Sequence, residues 1–157
     1  MTDCLICNRI AMIQAGTNPY FVTELPTGYV VIGDHQFFRG YTLLLSRWHV
    51  RELHDLDWDR RIAFLQDMAL TAEAVCQAFA PRKLNYELLG NADEHLHWHL
   101  FPRHADDPKP TGPVWEIDPA LTRADAARPS PDDLRELTVR LRAEIELLKA
   151  SNPTRKA

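Results

Sequence analysis

Cysteine is scarce in this 157-residue chain, three in all. An odd count with two of them in a Cys4-x-x-Cys7 pair excludes the disulfide framework of a small secreted scaffold. Positive charge is also short: 18 Lys and Arg stand against 22 Asp and Glu, a net charge of −4. With no basic field to hold a long polyanion, nucleic acid polymers are not expected as partners, whereas a small anionic substrate needs only a few aimed donors. Long apolar runs are missing too. None approaches the roughly 20 residues that span a bilayer, and the start of the chain lacks the basic-then-apolar pattern of a secretion signal. The expectation is a cytoplasmic protein without a membrane partner, in which reduced thiols at this spacing suggest a metal. Internal repeats, low-complexity tracts and any recognisable Mg²⁺-binding motif are absent as well.

What is present suffices for a single core, with 45% hydrophobic residues. Ile6, Ile10 and Ile13 recur at helical spacing until Gly16. The β-rich run Tyr29 to Ile32, between Gly28 and Gly33, and a second from Tyr41 to Leu45 predict an antiparallel hairpin. From Asp57 to Phe79 the apolar positions, Cys76 among them as a buried inert thiol, mark a long helix that Pro81 stops. Two more strands are predicted over Leu84 to Leu89 and His95 to Phe101, joined by the turn Gly90-Asn91-Ala92-Asp93. Pro108, Pro110, Gly112 and Pro113 open an irregular stretch, and residues 114 to 129 show no period. Ser130-Pro131-Asp132-Asp133 then caps a helix through Leu134, Leu137, Leu141, Ile145 and Leu148. The expected fold is α+β: an antiparallel β-sheet of about five strands with the long helix packed on one face, plus a C-terminal helical extension. Residues 1–112 would form the domain and residues 113–157 the extension.

Chemistry concentrates in His95-Leu96-His97-Trp98-His99-Leu100-Phe101. Residues two apart on a strand share a face, so three imidazoles would project together while Leu96, Trp98 and Leu100 enter the core. Three readings of that face are open. The rings could line a solvated strand, neighbouring rings could share a metal ion, or one neutral imidazole could attack phosphorus while the others position the phosphate.

This strand resembles the HφHφHφφ signature of the histidine-triad (HIT) superfamily, bacterial-type members and dinucleoside polyphosphate hydrolases among them. Pro102-Arg103 after it, Gly90-Asn91 before it and Leu43-Leu44-Leu45-Ser46-Arg47-Trp48-His49 further upstream are similar to other elements of that superfamily. The resemblance spans roughly residues 4 to 103 and implies particular roles. His97 would attack the α-phosphorus to give a covalent nucleotidyl-histidine that water then hydrolyses. His99 would bond a non-bridging oxygen or the leaving group, and the backbone carbonyl of His95 would fix the tautomer of His97. Asp34 would hold the ribose hydroxyls, with Asn85 and Asn91 donating to phosphate. The loop Asn91-Ala92-Asp93-Glu94 departs from the pattern: it lacks the Ser or Thr common in hydrolytic members, and it places two acids near the phosphate.

HIT-like branches resembling the galactose-phosphate uridylyltransferases hold a structural zinc. The matching positions here are Cys4, Cys7, His49 and His95, a closed set of two thiolates and two imidazoles. The implied activity is a nucleotide hydrolase acting on dinucleoside polyphosphates, diadenosine tetraphosphate for example, or on nucleoside phosphoramidates. Alternatives are a nucleotidyltransferase or phosphorylase of the same fold, and a non-catalytic zinc-stabilised nucleotide-binding module. The resemblance also implies a homodimer paired through the long helix and its adjacent strand.

Overall fold

The computed structural model describes residues 4–151. Helix α1, Leu5–Gln14, begins where the Cys4 thiol accepts the Cys7 backbone N–H, and it ends at Gly16, whose φ of 69° is one that side-chain-bearing residues rarely adopt. Strands β1 (Phe21–Leu25), β2 (Gly28–Ile32) and β3 (Thr42–Ser46) follow. Helix α2, Trp58–Phe79, is capped by Asp57, which accepts the Arg60 N–H, and closes on Ala80 in the left-handed conformation just before Pro81. Strands β4 (Lys83–Glu87) and β5 (His97–Arg103) complete a five-stranded antiparallel sheet in the order β1-β2-β3-β5-β4. The stretch expected to be loop carries single turns of 3₁₀ helix at Val114–Glu116 and Asp125–Ala127, and a short helix α3, Pro119–Thr122. Helix α4, Pro131–Ser151, starts where Ser130 accepts the Asp133 N–H.

The expected α+β architecture is present. Two differences concern β1, which flanks the hairpin unannounced, and the coverage of the sheet. One face carries Val30, Ile32, Leu44, Leu84 and Leu100 against Phe64, Leu70 and Val75 of α2, and against Leu137, Leu141 and Ile145 of α4, all in one buried core. The other face is covered as well, but only in part: Ile6 and Ile10 of α1 pack on Tyr29, Val31 and Leu45. Beyond α1, that second face is where the histidines emerge.

Candidate active site and metal centre

Strand register decides what shares the histidine face. His97 lies directly across from Leu45, and His99 across from Leu43 on one side and Glu87 on the other. Opposed residues in a ladder point to the same side, so His97, His99 and Glu87 stand together, while Trp98 and Leu100 turn toward the helices. The rings of His97 and His99 lie 4.5 Å apart. His95 sits just ahead of the strand, 1% exposed, and His97 is 6% exposed.

Each imidazole has one nitrogen committed, and the partner fixes the tautomer. His97 Nδ1 lies 2.5 Å from the His95 carbonyl oxygen. A carbonyl only accepts, so Nδ1 carries a proton, and in the neutral ring Nε2 keeps its lone pair. His95 Nε2 donates to the Ser46 carbonyl at 2.8 Å, which leaves Nδ1 as the free base. Nδ1 of His99 meets the Tyr41 hydroxyl at 2.6 Å. Burial, with Asp34 and Glu87 adding to it, pushes the Tyr41 phenol above its ordinary value, so it stays protonated and donates; His99 then holds its proton on Nε2. Burial, with a smaller contribution from His97, pushes His99 down to about 3. Burial also lowers His95. The face therefore offers one lone pair, at His97 Nε2, beside one N–H donor, at His99 Nε2.

Aromatic rings frame this pair. Tyr41 stacks on Phe101 at 4.2 Å and 4°, and Phe37, Phe38, Val114 and Ile117 extend the apolar wall. That wall is held by Arg103, 2% exposed, which donates to Asp107 Oδ2, Asn85 Oδ1 and the carbonyls of Gly112 and Lys109 while lying over the Phe38 ring. The irregular segment after β5 is thereby tied to the sheet.

The remaining residues proposed from sequence are dispersed around this centre. Asp34, beyond the end of β2, is ion-paired with Arg9 of α1. Asn85 is on the histidine face across from Phe101, its carbonyl oxygen taken by Arg103 and its NH₂ left to donate. Asn91 is exposed in the bend before the triad. Of the two acids in that bend, Glu94 is directed to Arg51, at 2.8 Å, and exposed; Asp93 uses its backbone carbonyl to accept from the His95 N–H. Tyr41 and Glu87 were not singled out from sequence, and Arg103 stood out only within the Pro102-Arg103 pair after the triad.

At the α1 end, Cys4, Cys7, His49 and His95 bring four ligand atoms within 4.8 Å of one another. His95 Nδ1 is 3.5 Å from Cys4 Sγ and 3.4 Å from Cys7 Sγ, and His49 Nδ1 is 3.1 Å from Cys7 Sγ. A tetrahedral zinc with ordinary Zn–S and Zn–N bonds puts sulfur and nitrogen ligands about 3.5 Å apart, so the donor set and its spacing fit such an ion.

The model of the HIT domain matches residues 20–106, more than half of the chain. The protein belongs to the HIT family. This HIT protein has the fold of a hypothetical histidine triad nucleotide-binding protein from Sulfolobus tokodaii, at 20% identity and a TM-score of 0.72 over 96% of this chain and 99% of that one. It is likewise similar to a Zn-bound histidine triad family protein from Mycobacterium smegmatis, at 20% identity and a TM-score of 0.65 over 95% and 97% of the two chains. Plasmodium falciparum diadenosine triphosphate hydrolase is more distant, at 14% identity and a TM-score of 0.53 over 88% of this chain and 80% of that one. No curated protein matches the sequence. Among the described residues no helix is long and apolar enough to cross a membrane.

Proposed function

We propose that this HIT protein is a nucleotide hydrolase that cleaves dinucleoside polyphosphates, diadenosine tetraphosphate among them, or nucleoside phosphoramidates through a nucleotidyl-His97 intermediate. The observation that carries the reading is the hydrogen bond from His97 Nδ1 to the His95 carbonyl, which in the neutral ring puts the lone pair on Nε2, on a ring that is 6% exposed. The distant likeness to a diadenosine triphosphate hydrolase supports the substrate class.

In the first step His97 Nε2 forms a bond to the α-phosphorus as the bond from phosphorus to the leaving oxygen or nitrogen breaks. His99 Nε2–H donates to a non-bridging oxygen or to the leaving group, whose departure is completed by a proton. The oxygen of a water molecule then bonds to phosphorus as the N–P bond breaks, releasing the nucleoside monophosphate, passing a proton to solvent and restoring neutral His97. The NH₂ groups of Asn85 and Asn91 serve as phosphate donors. Asp34, steadied by Arg9, keeps a carboxylate oxygen for the ribose hydroxyls.

Zinc is the ion we assign to Cys4, Cys7, His49 and His95, and the Zn-bound relative supports that choice. When bound, it supplies a structural cross-link between α1 and the sheet, with no open position for water. A cytoplasmic setting would keep both thiols reduced. We further assign a homodimer paired through α2 and β4: β4 pairs only with β5 among the described strands, and Tyr86 and Leu89 are exposed there.

The test is to incubate the protein with adenylated and guanylated substrates in EDTA and weigh the trapped protein. An acid-labile nucleoside monophosphate adduct that is lost in His97→Ala is the expected result. Turnover surviving in His97→Ala would refute the mechanism, and ligand binding without turnover in the wild type would leave a binding module instead.

A further inference from the structure

Glu87 is a buried acid that the triad chemistry does not use. It closes β4, lies directly across from His99, and is 8% exposed, about as buried as His97. Its carboxylate makes no hydrogen bond and no ion pair among the described residues, and its oxygens are not among the fully buried polar atoms, so they stay open to a molecule arriving from solvent. The nearby cation is engaged elsewhere. Arg103 spends its donors on Asp107, Asn85, Gly112 and Lys109, and none reaches Glu87. A carboxyl on the reactive face, across from His99 and without a protein partner, is placed to meet a bound substrate.

We propose that Glu87, in its carboxylic acid form, donates a hydrogen bond to the substrate phosphate beside His99. This rests on the nucleotide-hydrolase reading above. The face needs such a donor, because His97 Nε2 has no proton to give and His99 supplies a single N–H to a phosphate group whose oxygens carry negative charge throughout the reaction. An ionised Glu87 would repel those oxygens; a protonated one binds them, and the bound phosphate favours the protonated form in turn.

The charged and titratable groups around this position are His99 directly across from it, His97 and Arg103 on the same face of β5, and Tyr41, which meets His99, with exposed Lys83 on β4 itself. Burial raises the Glu87 carboxyl above its ordinary value, and Arg103 opposes that only in part. His99, kept neutral by its burial, brings no compensating positive charge.

The experiment compares wild type, Glu87→Gln and Glu87→Ala on diadenosine tetraphosphate across a pH series, with melting temperature and zinc content measured for each. Glutamine keeps the shape and a donor but cannot ionise. The expected result is that Glu87→Ala loses on the order of a hundredfold in kcat/KM. Wild type should lose kcat/KM as pH rises and Glu87 ionises, whereas Glu87→Gln should not show that fall. Alanine behaving like wild type at every pH, or Glu87→Gln keeping the wild-type fall, would overturn the proposal. A wild type that binds AMP but turns over nothing would defeat the hydrolase reading separately. In that event Glu87 is judged by AMP affinity: weakening with pH in wild type but not in Glu87→Gln supports it, and identical pH dependence overturns it.

Discussion

Tyr41 and His99, 58 residues apart in sequence, meet through a 2.6 Å contact between the phenol hydroxyl and His99 Nδ1. Because burial keeps the phenol protonated, this contact decides which nitrogen of His99 carries hydrogen, and so whether the face offers a donor or a second lone pair. A Cβ on Gly33 would lie 2.2 Å from the Tyr41 ring, so that glycine is what allows the ring to lie where it does.

Tyr41→Phe keeps the stacking on Phe101 and removes the hydroxyl. His99 is then free to place its proton on either nitrogen, and kcat should fall by about tenfold, the kinetic equivalent of one neutral hydrogen bond, with KM little changed. Gly33→Ala should produce a similar fall by displacing the ring, with a lower melting temperature as well. Steady-state kinetics beside thermal melts separates the two variants; an unchanged kcat in Tyr41→Phe would refute the tautomer argument.

His99 also makes stability depend on pH. Its folded value of about 3 lies below the ordinary 6.5, so in that window the unfolded chain takes up a proton that the folded chain refuses. The contribution is fully present above 6.5 and is lost as pH falls toward 3. In urea unfolding at a series of pH values, His99→Gln should lose less stability than wild type over that interval. Parallel curves for the two proteins would contradict the assignment.

The histidine strand was legible because alternation with Leu96, Trp98 and Leu100 has one strand-like solution, and the helices because their caps and apolar spacing agree. Strand β1 was not: Phe21–Leu25 is five residues of edge strand with a register shift between Phe21 and Thr23, and Pro19 and Pro26 flank it. The site partners were hidden for a different reason. Glu87 alternates with apolar neighbours as any solvent-facing strand residue does, and only the pairing of β4 with β5 puts it across from His99. Tyr41 reads as a strand aromatic until β3 is laid beside β5. Arg103 stood out only as a residue after the triad, since three of its partners lie in the aperiodic stretch 107–112 and the fourth, Asn85, on β4. Local pattern reveals which residues share a strand face, whereas contacts between distant strands follow from register.

Metal binding should be visible without turnover. With zinc at a hundred times its dissociation constant, wild type should gain about 2.7 kcal/mol against unfolding, and Cys7→Ser should gain almost nothing. Direct metal analysis of Cys4→Ala and Cys7→Ser should show zinc lost from both, whereas His97→Ala retains it. Equal zinc in wild type and the cysteine variants would remove the ion from this site.

Arg103 and Asp107 form an ion pair whose side chains are 2% and 8% exposed. Removing Arg103 leaves the Asp107 carboxylate with the His104 N–H but with no counter-charge and little water, so Arg103→Met should cost about 3–5 kcal/mol. Much of that loss belongs to the stranded carboxylate rather than to the pair itself. Asp107→Asn placed on top of Arg103→Met should therefore recover part of it, a coupling that urea unfolding of the single and double variants would measure. Stability recovered this way would not restore the wall beside the histidines, because the Arg103 bonds to Asn85, Gly112 and Lys109 are still missing. The double variant should thus fold nearly normally yet show a raised KM. A wild-type KM in that variant would mean that the segment after β5 does not contribute to substrate binding.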